Sequence, residues 1–106
     1  MLNSKDYCDY ETCVALKELG YPLTSKEVRY EDKAVFVPGV LLYSAQKWLR
    51  EEKHLHIEVR WYLNMCYEYE VKEAKGEVIA EGSAFLTYEE ALSRAVYMAT
   101  EHLMEK

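Results

Sequence analysis

Glycine and proline are scarce in this chain, with 4 Gly and 2 Pro in 106 residues. That scarcity excludes collagen-like and linker-like chains. With 50% hydrophobic and 30% charged residues, the composition is that of an ordinary globular domain. Cysteine is equally sparse: Cys8, Cys13 and Cys66 are odd in number and lack C-x-x-C spacing, so neither a disulfide framework nor a zinc knuckle is suggested and reduced thiols are expected. Long apolar runs are missing. None approaches the roughly 20 residues of a membrane helix, and the opening Met1-Leu2-Asn3-Ser4-Lys5-Asp6 lacks the apolar stretch of a secretory signal. The expectation is a soluble cytoplasmic protein with no membrane partner. Positive charge is in deficit, 13 Lys+Arg against 19 Asp+Glu for a net charge of −6. That balance disfavours a general grip on phosphate backbones or anionic lipid.

What is present is a pattern of helices and strands that fills one domain without internal repeat, linker or low-complexity stretch. Residues 12–19 carry apolar side chains at helical spacing, and Gly20-Tyr21-Pro22 supplies a stop. Residues 23–30 are polar and mixed. Ala34-Val35-Phe36-Val37 reads as a short strand ended by Pro38-Gly39. Leu41, Leu42, Ala45, Trp48 and Leu49 recur at intervals of three and four, with Gln46, Lys47, Arg50, Glu51 and Lys53 on the other side, which predicts an amphipathic helix.

The clearest signal is a period of two. Leu55, Ile57, Val59, Trp61 and Leu63 alternate with His56, Glu58, Arg60, Tyr62 and Asn64, as in a strand with one wet face. Residues 67–72 repeat the alternation after Asn64-Met65-Cys66, and 78–81 follow Ala74-Lys75-Gly76-Glu77 as a third strand. Thr87-Tyr88-Glu89-Glu90 has the form of a capping box. Ala91, Leu92, Ala95, Val96, Ala99, His102 and Leu103 then line one face of a final helix. The predicted fold class is α+β: a three-stranded antiparallel meander with helices packed on one face (α-β-β-β-α), preceded by an N-terminal helix and a short strand. Ile57, Trp61 and their neighbours are expected to lie beneath two helical segments.

The stretch 41–106 resembles the double-stranded-RNA-binding domain in its order of elements, with 77–84 entering Thr87-Tyr88-Glu89-Glu90-Ala91 like that family's third strand entering its last helix. The resemblance implies the shape. In the family the last helix opens with lysines that grip phosphates, whereas the matching positions around Ala91 are Tyr88, Glu89 and Leu92. Repulsion from Glu89 and Glu90 replaces attraction there, so nucleic acid is disfavoured as a partner. A second resemblance is carried by three stretches. They are Ala15-Leu16-Lys17-Glu18-Leu19-Gly20-Tyr21, residues 37–51 from Val37-Pro38-Gly39 to Trp48-Leu49-Arg50-Glu51, and the closing Thr87-Tyr88-Glu89-Glu90-Ala91. Together they look like small uncharacterised proteins of gut Bacteroidales and their phages. That resemblance implies a cytoplasmic setting, often on mobile elements, and no activity.

Candidate chemistry is thin. His54, His56 and Glu58 fall on one side of the first meander strand and could face a metal, but alternating polar residues on a solvated strand face require no ligand. Cys8, Asp9, Glu11 and Cys13 read as an acidic helix cap with packing thiols rather than a soft-metal site. No G-x-S-x-G, glycine-rich phosphate loop or H-E-x-x-H is present, and Cys66 would meet a histidine only by chance of folding. The sequence therefore predicts no enzyme, no cofactor and no metal. Ten tyrosines in 106 residues couple apolar rings to polar tips, as interfaces do, although tyrosine also suits strands and core edges. The expectation is a protein-interaction module that binds a protein partner or itself. His56, Glu58, Arg60 and Tyr62 on the outer sheet face are the candidate binding residues. A nucleotide or nucleic-acid binder on an altered scaffold is the alternative.

Overall fold

The computed structural model describes residues 6–22, 28–31, 35–38, 40–62 and 65–105, with the backbone alone for 28–31, 35–38 and 62. The Asp9 carboxylate accepts a hydrogen bond from the Thr12 N–H at 2.8 Å and so starts helix α1 (Tyr10–Glu18). Gly20, at φ +105°, closes it in the left-handed conformation that glycine adopts without a Cβ clash. Two short strands follow, β1 (Val28–Glu31) and β2 (Val35–Pro38), paired antiparallel as a separate two-stranded sheet. The sequence pattern predicts only one strand here. Its partner escapes because Val28 and Tyr30 alternate with charged residues over only four positions, too short a run to stand out. Of the strand expected at 34–37, Ala34 lies outside the described residues, as do Gly39 in the stop and Leu63 and Asn64 at the end of the long alternation.

Helix α2 (Leu42–Glu52) buries Leu42, Ala45 and Leu49 at helical spacing. It leads into a meander of β3 (Leu55–Tyr62), β4 (Cys66–Glu73) and β5 (Val78–Phe85), in the order β3-β4-β5. Helix α3 (Tyr88–Met104) follows, with the Thr87 hydroxyl accepting from the Glu90 N–H at 3.1 Å. The fold is α+β: α3 lies across all three meander strands, α2 packs beside it on β3, and α1 packs on α3 and touches β2. The N-terminal segment is tied to the entrance of α2 by the Cys8 N–H donating to the Val40 carbonyl at 2.8 Å and by a bridge between Tyr7 and Leu41. It joins the helical layer.

One face of the meander supplies the core. Leu55, Ile57, Tyr69 and Val71 pack with Leu49, Leu92, Ala95, Val96 and Ala99, burial that provides the main driving force for the fold. Strand β3 pairs with β4 in unbroken register, Leu55 with Glu73 through Tyr62 with Cys66. Strand β5 instead slips twice, so that Tyr67 faces Phe85, Tyr69 faces Gly82 and Lys72 faces Val78. Each slip is one extra residue in β5, a bulge, and the first contains Ala84 at φ +70°. The strand expected at 78–81 runs on to Phe85 because Gly82 is an element of it. A Cβ there would lie 2.5 Å from Cε2 of Tyr69, so the glycine marks a close approach rather than a break.

The expectation for Trp61 is corrected. Leu55 and Ile57 are buried as expected, but Trp61 is 64% exposed. It stands on the core-facing side by register, opposite Tyr67, yet at the end of β3 that outruns the helical cover. Alternation specifies a side chain's face; it does not specify how far the covering helices extend.

Candidate functional site

Two surfaces meet along β3. On the outer face the pleat aligns His56, Glu58 and Arg60, all exposed. Tyr62 takes the same face by register, while its side chain lies outside the described residues. Pairing with β4 and β5 adds Glu68, Glu70, Lys72 and Glu81, which sequence reasoning did not include in the site. Glu58, Glu70 and Glu81 form a row across the three strands. Like charges directly opposite one another repel, and the two cations relieve this. The Arg60 guanidinium reaches Glu68 at 3.2 Å, Glu70 at 3.1 Å and Glu58 at 3.4 Å, and the Lys72 ammonium reaches Glu70 at 3.4 Å. The signal was available, because Glu68, Glu70 and Lys72 alternate with residues assigned to the core.

The arrangement is an ion-pair ladder in which two cations join three carboxylates, Glu58, Glu68 and Glu70, with Glu81 beside them on the same face. Exposed pairs of this kind add little stability each, but they fix the positions of charge on a rigid sheet. Among the described residues no group of three or more His, Cys, Asp or Glu side chains is placed to hold a metal ion. His54, considered with His56 and Glu58 as a ligand set, precedes the strand at φ +58°.

The second surface is aromatic and is not apparent in the sequence. In the first turns of α2 and α3, Tyr43 stacks on Tyr88 with ring centres 6.4 Å apart, and Tyr88 meets the Tyr67 ring edge-on at 6.0 Å. Trp61 lies across the ladder from Tyr67. Tyr43 is 55% exposed, and Leu86, two residues before Tyr88, is 76% exposed. Partial burial, together with the neighbouring Tyr43 and the Glu89 carboxylate, raises the Tyr88 pKa above its ordinary value of 10.0. Tyr88 therefore remains a neutral donor at neutral pH. The missed signal is dispersed: Tyr43, Trp61, Tyr67 and Tyr88 come from four different elements and gather only when the meander and both helices are in place.

The two N-terminal cysteines sit deep in the helical layer. Cys8 and Cys13 are both buried, with the Cys13 thiol 3.6 Å from the Cys8 carbonyl. The hydrogen bond to Cys13 and then burial push the Cys8 thiol well above the usual thiol range. A protonated, enclosed thiol is a poor nucleophile, so this pair packs rather than reacts. No described helix is long and apolar enough to cross a membrane. No family model, curated protein or solved structure matches the chain.

Proposed function

We propose that this protein is a non-catalytic protein-interaction module acting in the cytoplasm. In this reading the aromatic end of β3 provides the apolar anchor and the outer ladder of His56, Glu58, Arg60 and Tyr62 provides charge registration. The observation that carries the reading is the exposure of Trp61 beside the Tyr43–Tyr88–Tyr67 group. Large aromatic side chains left in water next to a rigid charged sheet match the make-up of interface hot spots, where a few aromatic and arginine residues dominate. The resemblance to small proteins of Bacteroidales and their phages suggests a mobile-element setting. The acidic balance and Glu89-Glu90 at the start of α3 favour a protein over a nucleic acid as the ligand.

The test is affinity capture with tagged wild-type protein and a Trp61→Ala variant as parallel baits. The reading expects a partner, either a different protein or another copy of this chain, that the wild type retains stoichiometrically and W61A loses. Retention of the same partner by both baits would contradict it, as would salt-sensitive retention of RNA alone.

A further inference from the structure

We infer that β3 is a self-complementary edge through which two copies of this chain pair antiparallel about Val59, joining two meanders into one six-stranded sheet. This rests on the protein-interaction reading and names the partner as a second copy.

The hydrogen-bonding row comes first. The side-chain amide of Gln46 donates to the Ile57 carbonyl at 3.1 Å, and the Glu73 N–H donates to Glu77 on the β5 side. In an antiparallel ladder the two polar groups of one residue point the same way, and successive residues alternate. His56, Glu58 and Arg60 therefore bond to β4. The N–H and C=O groups of Ile57, Val59 and Trp61 point to the outer edge. Among the described residues no strand pairs with that edge.

The two edges of the sheet are not equivalent. Strand β5 is interrupted by two bulges, a standard way of blocking unwanted strand addition. Strand β3 is eight residues long and in continuous register, and of its outward groups the Ile57 carbonyl is capped by Gln46. That carbonyl retains a second lone pair. One edge is blunted and the other is left as a template.

Charge selects the register. A two-fold axis at Val59 sets Val59 opposite Val59 of the second copy, Glu58 opposite Arg60, and Trp61 opposite Ile57. Both ion pairs then extend the outer ladder across the junction. An axis at Arg60 would oppose two guanidiniums, and an axis at Trp61 would leave Glu58 and Arg60 without a charged counterpart. Isologous contact of this kind is the usual route to a closed dimer. A single strand junction buries little area, so the expected dissociation constant is in the range of about 1–100 µM.

Sedimentation equilibrium on the full chain tests this. Wild type should approach twice the monomer mass of 12.5 kDa as concentration rises. Glu58→Arg sets a second guanidinium against Arg60 of the opposite copy at both symmetry-related positions and should weaken association about tenfold or more, while the double swap E58R/R60E restores opposite charges and should return to wild-type association. Far-UV circular dichroism on each variant confirms that it is folded. Wild type that stays monomeric throughout the range overturns the inference, as does E58R that associates normally or a double swap that fails to recover. A monomeric wild type that still captures a different protein through Trp61 would defeat the second-copy assignment and leave the interaction reading standing. A concentration-dependent dimer that follows the charge swap but is unchanged in W61A would uphold the second-copy assignment and defeat the reading of Trp61 as the anchor.

Discussion

Truncating Trp61 should separate binding from folding. A tryptophan side chain presents about 250 Å² of surface. With 64% of the residue already in water, roughly 90 Å² of contact is lost in Trp61→Ala, which at about 25 cal/mol/Å² corresponds to ~2 kcal/mol. The true figure is smaller, because the unfolded chain also shields part of the ring, so ~1–2 kcal/mol is expected. The comparison is Leu49→Ala, where a fully buried side chain in α2 is removed and ~2–5 kcal/mol should be lost. Urea unfolding followed by far-UV circular dichroism, at protein concentrations below any association, measures both. Iodide quenching of wild type against Trp61→Phe, which leaves Trp48 as the reporter, should show Trp61 as the accessible indole. A loss above ~3 kcal/mol for W61A, or an indole shielded from iodide in the monomer, would refute the placement of Trp61 outside the helical cover.

Two neighbouring positions in β5 should respond with opposite signs. Gly82→Ala forces a methyl against the buried Tyr69 ring and should destabilise by ~1–3 kcal/mol, whereas Ala84→Gly relieves a left-handed alanine and should stabilise by about 0.5 kcal/mol after the entropy of the unfolded glycine is counted; denaturant midpoints measure both. In the native protein a colourless thiol reagent such as iodoacetamide should modify Cys66 first, with the buried Cys8 and Cys13 reacting only after unfolding, as read by mass spectrometry after digestion. Stability should fall above about pH 10. Burial raises the pKa of Tyr69 and Tyr88, and the Glu101 carboxylate raises that of Tyr97, all above the ordinary 10.0. Between the unfolded and folded pKa values the unfolded chain binds fewer protons, so the contribution is complete below the unfolded value and is lost as pH climbs through the folded one. Thermal melts from pH 8 to 11 and absorbance at 295 nm follow it; a melting temperature that rises over that interval would contradict the assignment.

Much of the architecture was legible because its signals are local. Alternation in 55–62 and 66–73 depends on a strand seeing water on one side and helices on the other, and Thr87 with Glu90 is a cap whose chemistry lies within one turn. Gly82 was not legible. In the linear text a Gly-Ser pair resembles a breaker, and only the Tyr69 ring across the ladder explains it. The outer site was half legible. His56, Glu58 and Arg60 share a strand and so a face, and Glu68 and Glu70 alternate with core residues of β4 in unbroken register with β3, whereas Glu81 joins them only through β5, whose bulges alter the register by a residue at a time. Trp61 shows the limit most clearly. Its period placed it correctly on the apolar side, and the length of helical cover, set by how α2 and α3 enter over the sheet, decided that it would face water.

The most direct test of the account is amide hydrogen exchange on the wild-type protein, compared between the isolated monomer and the complex with whatever partner it retains. The outward N–H groups of Val59 and Trp61 should exchange readily in the monomer and become protected in the complex, with the amides of Glu58 and Arg60, already bonded to β4, changing little. Protection confined to the solvent side of α3 or to α1, with Val59 and Trp61 unchanged, would contradict the assignment of β3 as the recognition element.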